Sequence, residues 1–499
     1  MVYISSYKDQ NWLIPQSIRE MIPKNHICFF VEEFIDSLDF SDFDMVSEGA
    51  GHPSYPPRII TKVIIQGMLS KERASRKLAG ACRENFVFMY LAEKVQPEFS
   101  TICRFRRNNK EFVKETFKET VKLADENGLV DLNLICTDGS KIKANSGKKM
   151  CIKKEQLGKL ASIIDRMIED DIKQDEVDEI IYGNKEENIS NLEIKNLKGI
   201  VKEYRKSKNK EKLKERCKKA IEEAERDPEM KKISISEPEC RMMKHSGGNY
   251  EPSYNAQFTV DSKNQIIIAN DACQDESDYL QLKPQLEQVK ENIGLKGSTK
   301  VDADCGYSSG ENIKYMEDNK LDGYIPNRTQ TRELNEMESV TKEKFRWDDY
   351  EYDEDKNEII DKGVRLSYYK TFDYAKKGYK MHEYRNQELR IVKRVPEFFR
   401  ERLRMKKKME TEEGKKIYAL RKSIVEPVIG DIKENLGFRS FRMKGLNGAK
   451  IELNLVSITH NLKKIWIARG KLTINNKNII FDLIIKNNQM YCDTACEIS

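Results

Sequence analysis

Hydrophobic and polar positions change their spacing repeatedly along this chain, and each change predicts a different kind of element. In PPRIITKVIIQGMLS (56–70) two prolines precede Ile60, Ile64 and Met68, the stripe of a helix with one buried face. KERASRKLAGACREN (71–85) repeats the pattern with Ala74, Leu78 and Cys82. STICRFRRNNKEFVKETFKETVKLADENG (100–128) predicts a longer helix, with Ser100 as its N-cap and Gly128 as its stop. Residues 1–130 therefore read as a compact helical domain.

At DLNLICTDGSKIKAN (131–145) the period shortens to two. Leu132, Leu134 and Cys136 alternate with polar residues, which predicts a strand running into a turn at Asp138-Gly139. Residues 148–235 are Lys/Glu-rich with spaced Ile and Leu, the pattern of a charged helical hairpin inserted into the fold. Strands return as a hairpin over 254–273, turning at DSKN. A helix (275–294), a strand (298–304), a helix (311–321) and a strand (322–329) follow. This order predicts an α/β layout with a mixed sheet under helical cover. Residues 330–396 are polar and read as a loop or small β excursion. Residues 397–470 are helical again, and Ile451, Leu455, Ile458, Leu462 and Ile465 mark a core helix. The tail, 471–499, has no assignment.

Composition narrows the function classes. The 499 residues suffice for two or three domains. No run of about 18 apolar residues exists, so no membrane span is expected. MVYISSYKDQNWLIP does not read as a secretory signal, and a cytoplasmic protein is the expectation. The 11 cysteines form no CxxC pair and histidines number only five, so neither disulfides nor zinc are expected. The net charge of +6 conceals a basic stretch, 385–409, that continues through Arg439, Arg442 and Lys444 to Lys450. Such a run suits phosphate backbones; a solvated helix face is the bland alternative. The short N-terminal helices edged with Arg and Lys fit a helix-turn-helix module or an ordinary bundle equally well.

Acids at three places invite chemistry. Asp138 ends the first predicted strand of the α/β region, Asp302 or Asp304 ends a later one, and Glu426 lies on a helix beside basic residues. Carboxylates at adjacent strand ends, joined by one from a packed helix, can hold two Mg²⁺ for phosphoryl transfer. Two like charges 4 Å apart repel by about 4 kcal/mol at an effective dielectric near 20, which a cation would relieve. Each acid taken alone is more often a turn or cap residue.

Taken together, CTDGSKIKAN (136–145), VDADCGYSSGEN (301–312) and RKSIVEPVIGDIKENLGFRSFRMKGLNGAKIELNLVSITHNLKKI (421–465) resemble the DDE transposases of bacterial insertion sequences, most closely the insertion sequence 1182 group. GHPSYPPRIITKVIIQGMLSKERASRKLAGACRENFVFMYL (51–91) and PEFSTICRFRR (97–107) are similar to that family's helical N-terminal domain. The resemblance implies an RNase H-like mixed-sheet catalytic core with a helical N-terminal DNA-binding domain (1–130). That core would comprise 131–147 and 236–329, split by the charged insertion 148–235. Residues 330–396 would be a small insertion and 397–470 C-terminal core helices carrying the catalytic Glu. The family's acids fall on Asp138, on Asp304 in ADCGY, and on Glu426, as ligands of Mg²⁺ or of Mn²⁺ in its place. Its Tyr-Arg-Glu-Lys signature falls on Tyr418, Arg421, Glu426 and Lys433, with one residue more than usual between Arg421 and Glu426. On a continuous helix Glu426 and Lys433, seven apart, would share a face.

The expected function is thus cut-and-paste transposition. The partners would be DNA (terminal inverted repeats and target) and a second copy of the chain in a dimer or larger synaptic assembly. The expected location is the cytoplasm, at the nucleoid. Tyr418, Arg421, Lys433, Arg439, Arg442 and Lys444 are the expected DNA contacts. A metal-dependent nuclease of the same fold, and an inactive transposase-derived DNA-binding protein, are the rivals. Asp302 and Asp304 lie two apart and would share one side of a strand, so Asp302 is the reserve ligand.

Overall fold

The computed structural model of the chain describes residues 17–41, 43, 55–169, 198–200, 202, 210–334, 350–374 and 379–475. The chain divides into two compact units, Met1–Thr116 with Leu462–Ser499, and Phe117–Asn461.

The first unit is helical: α1 (Ile27–Asp36), α2 (Pro57–Leu69), α3 (Ser75–Glu84), α4 (Phe86–Leu91), α5 (Phe99–Asn108) and the start of α6 (Lys110–Glu126). Pro57 opens α2 where its missing N–H costs nothing. Asn85 starts α4, which the periodicity does not reveal, by accepting hydrogen bonds from the Val87 and Phe88 amides. The long helix expected over 100–128 is instead two. Glu98, not Ser100, precedes α5, and the chain leaves helical geometry at Asn109, whose side chain donates to the Phe105 carbonyl. A short amide side chain competing for backbone partners is a sufficient cause of the break. Phe40, Phe43, Phe105 and Phe112 form one ring cluster across it.

The second unit is built on a mixed six-stranded sheet. In chain order come β1 (Leu134–Lys143), β2 (Cys151–Lys153), α7 (Leu157–Glu169), α8 (Lys210–Arg226), β3 (Lys232–Ser234), β4 (Arg241–Lys244), β5 (Tyr250–Asp261), β6 (Ile267–Cys273), α9 (Leu282–Ile293), β7 (Lys300–Ala303), α10 (Gly310–Asp318) and β8 (Asp322–Tyr324). β4 and β6 both pair with β5, and the sheet continues β5–β1–β7–β8. β5 is antiparallel to β1, whereas β7 and β8 run parallel to it. Ten consecutive residues of β5 are buried, so it lacks the in–out alternation of a half-exposed strand. β2 and β3 pair apart from this sheet and close the inserted helices α7 and α8 over their own core of Leu157, Leu160, Cys217, Ala220 and Ala224. Leu192, Leu197 and Val201 of the expected hairpin lie outside the described residues.

Two expectations at the sheet need correction. β1 does not turn at Asp138-Gly139 but runs straight through it to Lys143. Gly139 serves packing: a Cβ there would stand 2.4 Å from Asp278 Oδ1 and 2.6 Å from Gln257 Nε2. Asp304, for its part, is off the strand. β7 stops at Ala303, and Asp304 caps the 3₁₀ turn Cys305–Tyr307.

Five strands in place of a loop make a separate antiparallel sheet: β9 (Glu351–Asp353), β10 (Glu358–Asp361), β11 (Val364–Tyr374), β12 (Tyr379–Asn386) and β13 (Ile391–Pro396). Lys362 and Gly363 both have positive φ and form the two-residue turn between β10 and β11. Ile359, Leu366, Tyr384 and Val395 pack one face of this sheet onto Phe399 and Leu403 of α11 (Phe399–Glu410). The basic stretch 385–409 is therefore half sheet and half helix, not one helix face.

α12 (Glu412–Gly430) passes into a π turn, Asp431–Asn435, and α13 (Leu446–Asn475) follows. The apolar stripe from Ile451 to Ile465 is buried as its spacing predicts. Beside it the buried Asn461 donates to the Ile267 carbonyl and accepts from the Ile267 amide. No helix among the described residues is long and apolar enough to cross a membrane.

Candidate functional site

β1 and β7 place two of the acids side by side. Their parallel register pairs Cys136 with Asp302 and Thr137 with Ala303. The next step of that register sets Asp138 beside Asp304, where β7 has ended and β1 continues. α12 crosses this edge and brings Arg421 and Glu426. Arg421 Nη1 donates to Asp138 Oδ2 at 2.8 Å, and its Nη2 donates to Glu426 Oε1 at 3.4 Å. The buried Tyr418 ring lies 5.9 Å from the same guanidinium. Lys433, on the π turn, is half-buried within the field of Asp138.

Burial dominates the electrostatics. It pushes the Asp138 carboxyl up to about 6, with Arg421 opposing and Asp304 and Asp278 adding to the rise. Asp302 is pushed well above the carboxylate range, by burial first and then by Asp138 and Asp304 against Arg421. Its side chain is fully buried, Oδ2 faces Cys136 Sγ at 3.9 Å, and Oδ1 has no hydrogen-bond partner. Asp304 is raised by burial too, although the Gly306 amide and Arg421 pull it back. Burial likewise lowers Lys433. Three acids thus crowd one sheet edge, and Arg421 is the counter-charge that meets them. Among the described residues no group of three or more His, Cys, Asp or Glu side chains is gathered tightly enough to hold a metal ion. Arg421 instead bridges Asp138 and Glu426.

A fourth acid escaped the sequence reading. Asp278 lies in the segment before α9, which starts at Leu282 rather than near 275. Asn255 Nδ2 and Gln257 Nε2 donate to its Oδ1 at 2.6 and 2.7 Å, and Lys141 Nζ stands 3.6 Å away. Tyr307 donates to Gln257 Oε1 and so ties ADCGY to the same group. Asp278 contributes to the raised values of Asp138 and Asp304. The available signal was the pair of polar residues, Asn255 and Gln257, on the same side of an otherwise buried strand.

The remaining expected DNA contacts lie elsewhere. The loop after the π turn docks on the far end of β1: the Phe441 amide donates to the Lys143 carbonyl at 2.7 Å, and Asn145 Nδ2 donates to the Arg442 carbonyl. At about 3.3 Å per residue, Lys143 is about 17 Å along the strand from Asp138. Arg439 is exposed and paired with Glu434, and Lys444 donates to the Ser236 carbonyl. Arg442 and Lys444 thus belong to the far end of β1, away from the acids.

Residues 379–466 match the family described as transposase DDE domain, and residues 16–108 match a transposase domain (DUF772). The first match spans Tyr418, Arg421, Glu426 and Lys433; the second covers the helical N-terminal region. No curated protein matches the chain. The two family matches support a DDE-type transposase.

Proposed function

We propose that this chain is a DNA transposase of the insertion sequence 1182 group, with an RNase H-like core, that cuts its element's ends and joins them to target DNA. The observation that carries the reading is Asp138 on β1 with Asp304 just past the end of the neighbouring parallel strand β7, and Arg421 linking Asp138 to Glu426. The strand order β6–β5–β1–β7–β8, with only β5 antiparallel to β1 in its central part, favours the RNase H-like assignment.

The residues suit a hard divalent cation. Asp138 and Asp304 offer carboxylate oxygens whose charge is disfavoured by burial and neighbouring acids, and Glu426, held by Arg421, would have to close on them to complete the set. Asp138, Asp304 and Glu426 would hold Mg²⁺, or Mn²⁺ in its place, which when bound supplies charge neutralisation for in-line displacement at a phosphodiester. The chain's own groups do the rest. Tyr418 walls the guanidinium of Arg421, which is aimed at the acids and within reach of a phosphate entering between them. Lys433, half-buried with a lowered pKa, offers a second positive charge. Asn255 and Gln257 fix Asp278, which keeps the negative field of the edge in place. Arg439, Arg442 and Lys444 extend a basic border for the DNA end. The chain works as a dimer or larger assembly in the cytoplasm, at the nucleoid, because two ends must be joined.

The test is incubation of the full chain with duplexes ending in the element's inverted repeat, with Mg²⁺ or Mn²⁺. Cleavage with 3′-OH ends, followed by joining to a target duplex, is the expected result. Asp138→Asn or Glu426→Gln should bind the ends and leave them uncut; full cleavage by either variant would sink the assignment.

A further inference from the structure

The five-stranded sheet has a second face that the transposase reading does not use. β11 carries a bulge between Tyr368 and Lys370, which releases Tyr369 from the ladder. Tyr369 is 51% exposed, and the guanidinium carbon of Arg385 sits 3.6 Å from its ring centroid. Phe372, two residues past Lys370 on the same strand, has Arg394 at 5.4 Å and Lys370 at 5.9 Å from its ring. Lys370 pairs across with Glu383, and Glu383 with Arg394, so these side chains share one face.

At the centre of that face is Glu383, only 2% exposed. It accepts from Arg385 Nε at 2.8 Å and from Arg394 Nε at 3.0 Å. The two arginines lower its pKa from the usual glutamate value, the Arg385 hydrogen bond contributing most. Arg385 also brings Nη2 to 2.6 Å from the same carboxylate, so one acid holds both guanidinium groups in place. Arg394 remains 60% exposed while doing so. This part of the face therefore presents two aromatic rings flanked by three cations, with Glu383 covered; Glu358 and Asp353, further along the same face, are paired with Arg365.

We propose that this face binds an unpaired stretch of nucleic acid, with bases stacking on Tyr369 and Phe372 and phosphates meeting Lys370, Arg385 and Arg394. Rings among pre-oriented cations are the elements of a single-strand platform, because every base offers a π face and every linkage a negative charge. A duplex would satisfy the cations but leave the rings unused, and an apolar protein partner would leave the cations unpaired. That the strand is DNA rests on the transposase reading; the platform itself does not.

The experiment is fluorescence anisotropy of the full chain with a labelled single-stranded DNA oligonucleotide, its RNA counterpart, the matched duplex and poly-glutamate, at several salt concentrations. Tyr369→Ala should weaken single-strand binding about tenfold and leave duplex binding unchanged. Arg394→Gln, which keeps the Glu383–Arg385 pair, should reduce the salt dependence by about one counterion, with an unaltered circular dichroism spectrum. The idea is overturned if the wild-type chain does not bind single strands. It is equally overturned if Tyr369→Ala weakens single strand and duplex alike or neither, or if poly-glutamate binds more tightly than the oligonucleotides. Single-strand binding that depends on Tyr369 in a chain unable to cut its ends would retain the platform and refute transposition.

Discussion

The two sheets handle charge in opposite ways. At the edge of the six-stranded sheet, Asp138, Asp302, Asp304 and Asp278 share a small volume in which Arg421 is the principal counter-charge, and burial drives the pKa values of the first three upward. On the outer face of the five-stranded sheet one acid, Glu383, serves two arginines and its pKa falls. Burial is the first cause of the rise at Asp302, whereas at Glu383 the Arg385 hydrogen bond outweighs it. The local balance of sign differs too. Where acids outnumber cations the edge gains from a further positive charge. Around Glu383, where Lys370, Arg385 and Arg394 outnumber the one acid, the face gains from a negative partner.

The largest effect should come from separating the two neighbouring acids. Asp304→Asn is expected to lower end cleavage by about 10²–10³-fold. Asp302→Asn, whose side chain is buried and already biased towards its neutral form, should retain cleavage within a few-fold. Loss of activity in Asp302→Asn with retention in Asp304→Asn would exchange their roles.

Glycines offer a second contrast. Gly139→Ala places a methyl group against Asp278 and Gln257, and should cost about 1–3 kcal/mol in urea unfolding together with loss of cleavage. Gly363→Ala, at a turn with φ +82°, should cost about 1 kcal/mol and leave cleavage intact. Equal effects of both on cleavage would show that general stability, not the position of Asp278, is being read.

The smallest effect, and the finest test of the comparison, is pH. Without divalent metal, the folded Asp138 titrates near 6 against about 3.9 unfolded. The native edge binds more protons between these values, so it gains stability as pH falls from about 7 to about 4. Glu383 has a lowered folded value. Its contribution is complete above the ordinary Glu range and fades only as pH falls below about 4.3. Hydrogen exchange at pH 7 and 5, corrected for intrinsic rates, should show β1 and β7 becoming better protected while β11 and β12 stay level. Loss of protection in β1 at pH 5 would contradict the burial argument.

The elements that depend on local periodicity were legible: α2, the β5–β6 hairpin, and the stripe of α13. Those set by distant partners were not. Asp138-Gly139 has the composition of a turn, and only Asp278 and Gln257, far along the chain, explain why a glycine is needed in mid-strand. The sheet of β9–β13 was legible only as one of two alternatives, a loop or a small β excursion, because one of its faces is made of rings and ion pairs instead of aliphatic residues. In the candidate site, ADCGY favoured Asp304 over Asp302, but through a resemblance; strand alternation treated them alike. Asp278 stayed hidden because its neighbours Asn255 and Gln257 reach it only once β5 has paired.

The π turn at Asp431–Asn435 alters what a spacing signature means in this chain. On an α-helix each residue advances about 100°, so the seven steps from Glu426 to Lys433 would return almost to the starting direction. Here the last steps are taken on a wider coil, and Lys433 reaches its half-buried place near Asp138 at a different phase. Removing one residue from this turn would let it relax to an ordinary helical winding. Everything downstream would then rotate by about 100° and carry the loop of Arg439, Arg442 and Lys444 off the end of β1. A deletion that leaves each signature residue present could thus silence the chain by angle alone.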